Sequence, residues 1–450
     1  MKKTRLLMLL VSVSLVLLLA ACTTPAPAPA TTYTSPDREE DAVYTSPDRE
    51  EDAVYTSPDR EEDAVYTQAP TPTPPPGAPI KIGASLPLTG FIPEFGEAGI
   101  IGNEFALDEY GWEVAGRPIE YIYEDNATTS DKAIETIRKM VEVDNVDVVF
   151  APVLSGLFWR VQPYTDEKGM LLISQWGRYD FRPWEEPRMD ITSGSGSGTQ
   201  TSYPMGAYAY EELGIKTVAT MAYDVESGYM VIGGFADGFT KAGGEVVSMQ
   251  WLPFGVVDYG PYFLAMGEPD AVVIELWGMD QLAAWEQFFE FGLHEKYQPL
   301  LAIANNLRYE HLPALGDAAL GMYGAIDYEW TIDTPANRDF VARFEAEHGF
   351  KPHINYYDSY ITMKLYLDAV KATGGNTTPA AVRDAIIGHS FEGPAGTLTF
   401  TKTGYALRNT YIVEVQKIDG QLAFQVVKTV YAVPDAGYYT KEAAEAYWKR

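Results

Sequence analysis

From Ile80 onward, short apolar runs of strand character alternate with longer segments whose apolar residues recur at helical spacing, and this order limits what the chain can fold into. Ile80 to Leu88 reads as a buried strand and Ala98 to Tyr110 as a helix. Pro118 to Tyr123 then reads as a strand, Ser130 to Val143 as a helix capped by Ser130, and Val146 to Phe150 as a strand. A helix from about Leu157 to Glu167 precedes a strand from Met170 to Ser174. After a glycine- and serine-rich break at Ile191 to Gly198 the pattern resumes, with helices near Tyr203 to Leu213, Tyr229 to Ala242 and Gln281 to Phe291. Its strands fall at Thr217 to Ala222, Glu245 to Leu252, Ala271 to Leu276 and Leu300 to Ala304. Serial alternation of this kind predicts parallel sheets covered by helices on both faces. Roughly 370 residues suffice for two ordinary domains, so the expectation is an α/β chain with two doubly wound lobes in series.

The N-terminus sets the compartment. Lys2, Lys3 and Arg5 precede an apolar run from Leu6 to Leu19, shorter than the roughly 20 residues of a spanning helix and of the length of a secretory signal. The run ends in Leu19-Ala20-Ala21-Cys22, and Cys22 is the only cysteine of the chain. This tetrapeptide resembles the bacterial lipobox, which implies that residues 1–22 form a lipoprotein signal and that Cys22 carries the lipid. The mature protein is then extracytoplasmic, lipid-anchored to the bacterial cell membrane and without disulfides; more than one acyl chain makes such an anchor stable.

Residues 23–79 read as a disordered stalk. The unit Tyr-Thr-Ser-Pro-Asp-Arg-Glu-Glu-Asp-Ala-Val occurs three times, from Tyr33, Tyr44 and Tyr55, between proline-rich flanks. The composition cannot bury a core, and Pro36, Pro47 and Pro58 interrupt any continuous helix. As a coil the stalk spans roughly 40 Å. Each repeat carries a charge of −3 and the signal +3, so −24 of the formal −30 belongs to the region from Ile80 onward. Such acidity argues against nucleic acid or an anionic lipid surface as a partner.

Catalytic and cofactor signals are poor. Gly194, Gly196 and Gly198 miss the dinucleotide spacing because position 199 is Thr, no Lys-Ser/Thr follows for a phosphate loop, and Gly196 stands where a nucleophile elbow needs Ser. The stretch reads instead as a flexible crossover. His294, His311, His348, His353 and His389 share no ligand spacing, and no nucleophile and base can be paired. The expectation is therefore no metal, no cofactor and no enzyme.

Several short motifs stand in a specific order: Ile82-Gly83-Ala84-Ser85-Leu86-Pro87-Leu88-Thr89-Gly90, Tyr123-Glu124-Asp125, Val146-Asp-Val-Val-Phe-Ala-Pro152, Gly169-Met-Leu-Leu-Ile-Ser174, Asp237-Gly238-Phe239, Pro269-Asp270-Ala271-Val272 and Tyr356-Tyr357-Asp358. In this order, from Ile80 to about Val430, the chain resembles the branched-chain amino acid, amide and urea class of solute-binding proteins of ABC transporters, the leucine-binding-protein-like type I periplasmic binding proteins. The resemblance implies two lobes joined by three crossovers near Gly194, Tyr328 and Gly404. Lobe one is then residues 80–195 plus 330–404, and lobe two residues 196–329 plus 405–450. It also implies closure on a small molecule and docking on an ABC permease with its ATPase subunits.

Ligands of open parallel sheets sit beyond the C-terminal strand ends. The loops there contain Phe95, Ser155-Gly156, Trp176-Gly177-Arg178, Tyr223, Glu226-Ser227, Trp277 and Asn305, a mix of rings and a few polar groups suited to a small solute. Ser155 and the Gly156 amide open a helix, either as a cradle for a carboxylate or carbonyl oxygen or as an ordinary cap. Trp176 and Trp277 either stack on the ligand or pack between the lobes, and Arg178 either pairs a carboxylate or is exposed. Against the family pattern, Trp176-Gly177-Arg178 replaces a hydroxyl residue of amino-acid binders, Phe95 a tyrosine, and Ser227-Gly228 a Tyr-Gly pair. The carboxylate for an ammonium falls near Ile303 to Asn306, with Asp224, Glu226 or Asp280 as substitutes. The solute is thus an amino acid, an amide or an organic acid. A ligand-sensing subunit of a membrane signalling system is the alternative function, and a hydrolase a third.

Overall fold

The computed structural model describes residues 77–433 except 152, 177–189, 193 and 403, with the side chains of 155 and 226 also left aside. Its first sheet has six strands: β1 (Ile80–Leu86), β2 (Glu113–Val114), β3 (Arg117–Asp125), β4 (Val148–Ala151), β5 (Leu172–Ser174) and β6 (Asp190–Thr192), in the order β2-β3-β1-β4-β5-β6. Apart from the β2–β3 hairpin every pairing is parallel. Helices α1 (Pro93–Glu109), α2 (Ser130–Lys139) and α3 (Ser155–Lys168) supply the crossovers. Strands β1, β4 and β5 are buried on both faces, as helix-covered parallel strands must be.

Helix α4 (Gly198–Glu211) leads into the second sheet, with β7 (Thr217–Tyr223), α5 (Glu226–Ala242), β8 (Glu245–Leu252), α6 (Gly260–Ala265), β9 (Ala271–Glu275), α7 (Gly278–Glu290), β10 (Gln298–Leu301), α8 (Leu312–Leu315) and β11 (Tyr323–Ile326). Strands β8-β7-β9-β10-β11 run parallel. The chain then forms α9 (Pro335–His348), α10 (Ile354–Ala372) and α11 (Pro379–Ile386), and α10 packs along α1 of the first unit. It closes with β12 (Ser390–Gly393), β13 (Gly396–Phe400), β14 (Ala406–Ile418) and β15 (Gln421–Val433). These last strands are antiparallel: β14 pairs with β11 and with β15, and β13 meets β14 across the turn at Gly404. The second sheet is therefore mixed, with a parallel half at the cleft and an antiparallel flank.

Two capping expectations are corrected. The cap of α2 is Thr129, whose hydroxyl accepts from the Lys132 N–H at 3.4 Å, so Ser130 is the first helical residue. Both residues carry the required hydroxyl, but Thr129 has the extended backbone a cap needs. Helix α3 likewise begins at Ser155 with Leu154 in the cap position. The helix expected to run to Val143 ends as a π turn over Met140–Asp144, closed by Asn145 in the left-handed region.

The glycine-rich break is packed rather than loose. Residues 194–202 are buried, and Ser197 caps α4 by accepting from the Gln200 N–H at 3.1 Å. Three chain passages meet here. The Thr192 N–H donates to the Gly404 carbonyl at 2.8 Å, Arg408 donates to the Gly194 carbonyl, and the Gly196 N–H donates to Asp327 at 3.1 Å. A Cβ on Gly194 would run into the Gln175 carbonyl, which is why no larger residue can stand at this crossing. The signal, Cys22 and the stalk as far as residue 76 lie outside the described residues.

Candidate functional site

The loops after β1, β4 and β5 lie beyond the C-terminal ends of parallel strands of the first sheet and those after β7, β9 and β10 beyond those of the second, where open α/β sheets bind ligands, and they make the two walls of the candidate site. On the first wall Phe95, in the opening turn of α1, meets Trp176 edge-to-face with ring centroids 5.8 Å apart. Trp176 stands two residues after the end of β5 and is 4 % exposed. Its indole N–H is buried and has no hydrogen-bond partner among the described residues. Beneath it the Gln175 amide donates to Asn103 Oδ1 at 2.8 Å, and the Asn103 amide donates to the Tyr121 hydroxyl at 2.7 Å. The Gln175 Oε1 is unpartnered as well. Gly177 and Arg178 lie outside the described residues, as does the side chain of Ser155; Gly156 stands on the first turn of α3 with open space above its Cα.

The second wall is a cluster of three rings. Tyr223, the last residue of β7, lies 4.3 Å from Phe254 and 5.2 Å from Trp277 between ring centroids, and Phe254 lies 5.6 Å from Trp277. Burial and the adjacent Asp280 carboxylate, which accepts from the Tyr223 hydroxyl, push that phenol well above its ordinary pKa, so it stays a neutral donor. Ser227, on the first turn of α5, is 5 % exposed and its hydroxyl has no partner among the described residues. Gly228 beside it abuts the Tyr223 carbonyl. The side chain of Glu226 lies outside the described residues.

Two of the acids considered for an ammonium, Asp224 and Asp280, already accept hydrogen bonds, and so does a third acid that the sequence did not point to, Glu275. Asp224 accepts from the Tyr229 hydroxyl and Asp280 from the Tyr223 hydroxyl. Glu275, at the end of β9, accepts from the Asn306 amide at 2.7 Å and from the Ile303 N–H at 3.4 Å. It is 1 % exposed, and burial raises its carboxyl well above the ordinary value despite those two donors, which favours the protonated form. Asn305 turns toward the crossings, donating to Asp327 at 3.4 Å, with its own Oδ1 unpartnered.

The sequence-derived residues thus gather into two groups, Phe95 with Trp176 and Tyr223 with Ser227 and Trp277, on opposite units of one continuous apolar core. Phe254 was missed, because a ring in a loop after β8 carries no pattern that distinguishes it from surface. Among the described residues no group of acids, histidines or cysteines could hold a metal ion, and no helix is long and apolar enough to cross a membrane.

Comparison with known proteins agrees with this geometry. The family model of the periplasmic binding proteins matches residues 79–421. A Leu/Ile/Val-binding protein homolog of Brucella melitensis is 23 % identical over 370 residues, covering 81 % of this chain and 90 % of its own. An ABC transporter substrate-binding protein from Sphaerobacter thermophilus superposes with a TM-score of 0.75 at 29 % identity, over 79 % of this chain and 99 % of that one. A solute-binding protein of an ABC transporter from Rhodopseudomonas palustris, solved with 3,4-dihydroxybenzoic acid, gives 0.73 at 26 % identity, over 81 % of this chain and all of its own. Such relatives are substrate-binding proteins of transporters, not enzymes, and this chain belongs with them to the periplasmic binding protein family, in its leucine-binding-protein-like type I branch.

Proposed function

We propose that the protein is a lipid-anchored extracytoplasmic receptor that captures a small polar solute by closing its two lobes and delivers it to the permease and ATPase subunits of an ABC importer. Cys22 is the attachment point in this reading, and residues 23–79 are the spacer. The moving bodies are residues 80–195 plus 330–404 and residues 196–329 plus 405–450, turning about the adjacent passages at Gly194, Asp327 and Gly404. Contacts come from Phe95, Ser155, Gly156, Trp176, Gly177 and Arg178 on one wall and from Tyr223, Glu226, Ser227, Trp277 and Asn305 on the other.

The observation that carries the reading is the pair of ring clusters beyond the strand ends of the two sheets, Phe95 with Trp176 and Tyr223 with Phe254 and Trp277, accompanied by buried polar atoms without a partner among the described residues: the Trp176 N–H, the Ser227 hydroxyl and the Asn305 carbonyl beside the crossings. Burying such atoms unpaired is unfavourable, and a solute offering oxygens between two ring faces relieves it. Of the amino acid, amide and organic acid classes, a ring-bearing organic acid suits these walls best. The relative solved with 3,4-dihydroxybenzoic acid supports the same choice.

A thermal-shift screen of the purified chain against 4-hydroxybenzoate, benzamide, L-leucine and urea tests it. A solute at about 100 times its dissociation constant adds roughly 2.7 kcal/mol of stability. The expected outcome is a clear rise with 4-hydroxybenzoate and little with leucine. A rise with leucine alone would replace the organic-acid choice with an amino acid.

A further inference from the structure

Asp280 occupies the first turn of α7, where the helix N-terminus favours a negative charge. Its Oδ2 accepts from the Tyr223 hydroxyl at 2.6 Å and from the Gly255 backbone N–H at 3.3 Å, while its carbonyl accepts from the Tyr259 hydroxyl at 3.3 Å. Tyr223 ends β7, Gly255 lies between β8 and α6, and Tyr259 caps α6. One residue therefore ties together three successive connections of lobe two, and the rings of the second wall stand on those same connections. Phe254 is 52 % exposed, too little buried to be held by apolar packing alone. Gly255, its neighbour in the chain, is anchored to Asp280, and the Tyr223 ring that Phe254 rests on is anchored to the same carboxylate.

We infer that Asp280 is a positioning residue for solute recognition: its carboxylate fixes Tyr223 and the Phe254 loop so that lobe two presents a preformed ring cluster. The inference rests on the cleft being the solute site. Preorganisation of this kind raises affinity by removing the ordering a loose wall would undergo on binding.

The test uses the full chain with 4-hydroxybenzoate and L-leucine as calorimetric probes, in the wild type and in Asp280→Ala, Asp280→Asn, Tyr223→Phe and the Asp280→Asn/Tyr223→Phe pair. Near-ultraviolet circular dichroism is recorded alongside, the part of the signal lost in Trp277→Phe marking the wall. Asp280→Ala should lose that signature and weaken 4-hydroxybenzoate by about tenfold or more, the scale of a lost charge-assisted hydrogen bond. Asp280→Asn retains an acceptor oxygen and should recover most of both. Adding Tyr223→Phe to it should change affinity by less than about the product of the two single effects, as for groups acting through one contact. Unchanged signature and affinity in Asp280→Ala would overturn the inference, and so would a loss of leucine binding alone, which would make Asp280 an ammonium partner. If the wild type binds neither probe, the solute reading fails while the spectral comparison still decides the positioning role. If Asp280→Ala does not fold, the other variants decide, and wild-type behaviour in both Asp280→Asn and Tyr223→Phe overturns the inference.

Discussion

The two walls of the cleft stand on different floors. Under Trp176 lies a chain of neutral groups, the Gln175 amide on Asn103 and the Asn103 amide on Tyr121. Under Trp277 lies a carboxyl group, Glu275, held by Asn306 and the Ile303 N–H. Both floors follow directly from the last residue of a central parallel strand, Ser174 of β5 or Glu275 itself in β9. The two amides of the first floor do not titrate, whereas burial favours the protonated form of the carboxyl floor. The walls differ in the same sense: lobe one holds its tryptophan by burial, and lobe two holds its rings by hydrogen bonds to Asp280. Removing packing should therefore damage the first wall, and removing charge or proton the second.

The largest effect is expected at Gly194, the residue on which the amide floor rests. A Cβ there meets the Gln175 carbonyl and comes within 2.9 Å of the Asp358 Cβ. Neither neighbour can move away, since Gln175 continues a central strand and Asp358 is buried in α10. Gly194→Ala should lose about 3 kcal/mol or more, the upper end of the usual cost of overpacking a closed site. Urea unfolding of the variant reads this directly, and a loss below about 1 kcal/mol would mean that the crossing yields, as surface-like sites do.

The tryptophans give the next contrast. Trp176 is buried and belongs to the main core, whereas Trp277 packs at its margin. Trp176→Ala should destabilise by about 3 kcal/mol or more, as buried aromatic truncations do. Trp277→Ala should lose about 1 kcal/mol, the share of its ring area withdrawn from water. Both variants should weaken 4-hydroxybenzoate in calorimetry. Equal stability losses would erase the distinction between a wall held by packing and one held by polar ties.

Much of this fold was legible because apolar runs alternating with helical periods leave few architectures, and β8 matches its expected Glu245 to Leu252 span. What escaped has physical reasons. Strand β6 is three residues long, too short to show a period, and the Ser130 expectation erred by one residue because Thr129 has the same chemistry. The β14–β15 hairpin was not read at all, although Asp419-Gly420 is a turn signal, because its half-buried strands mix polar and apolar residues irregularly. For the site, loop position located the rings. The roles of Asp280 and Glu275 were invisible, since their partners lie 57 and 31 residues away and a carboxylate's engagement is a property of the packed structure.

Glu275→Gln sharpens the contrast at its smallest scale by giving lobe two the amide floor of lobe one. Glu275 has an ordinary value of 4.5 and is raised in the folded protein by burial, so the folded state binds its proton more tightly than the unfolded chain. Its contribution to stability is then complete below about pH 4.5 and is lost progressively as pH rises from there through the raised value. The wild type should therefore fall behind Glu275→Gln with increasing pH, by at most about 1.4 kcal/mol per unit for a single proton. Wild-type Asn306 can donate to either side chain, so the substitution leaves that bond in place. Unfolding midpoints of the two proteins measured from pH 5 to 9 give the difference directly, free of the other carboxylates they share. Parallel curves would mean that Glu275 ionises in place with Asn306 and the Ile303 N–H as sufficient partners, and the two floors would then differ in charge and not merely in composition.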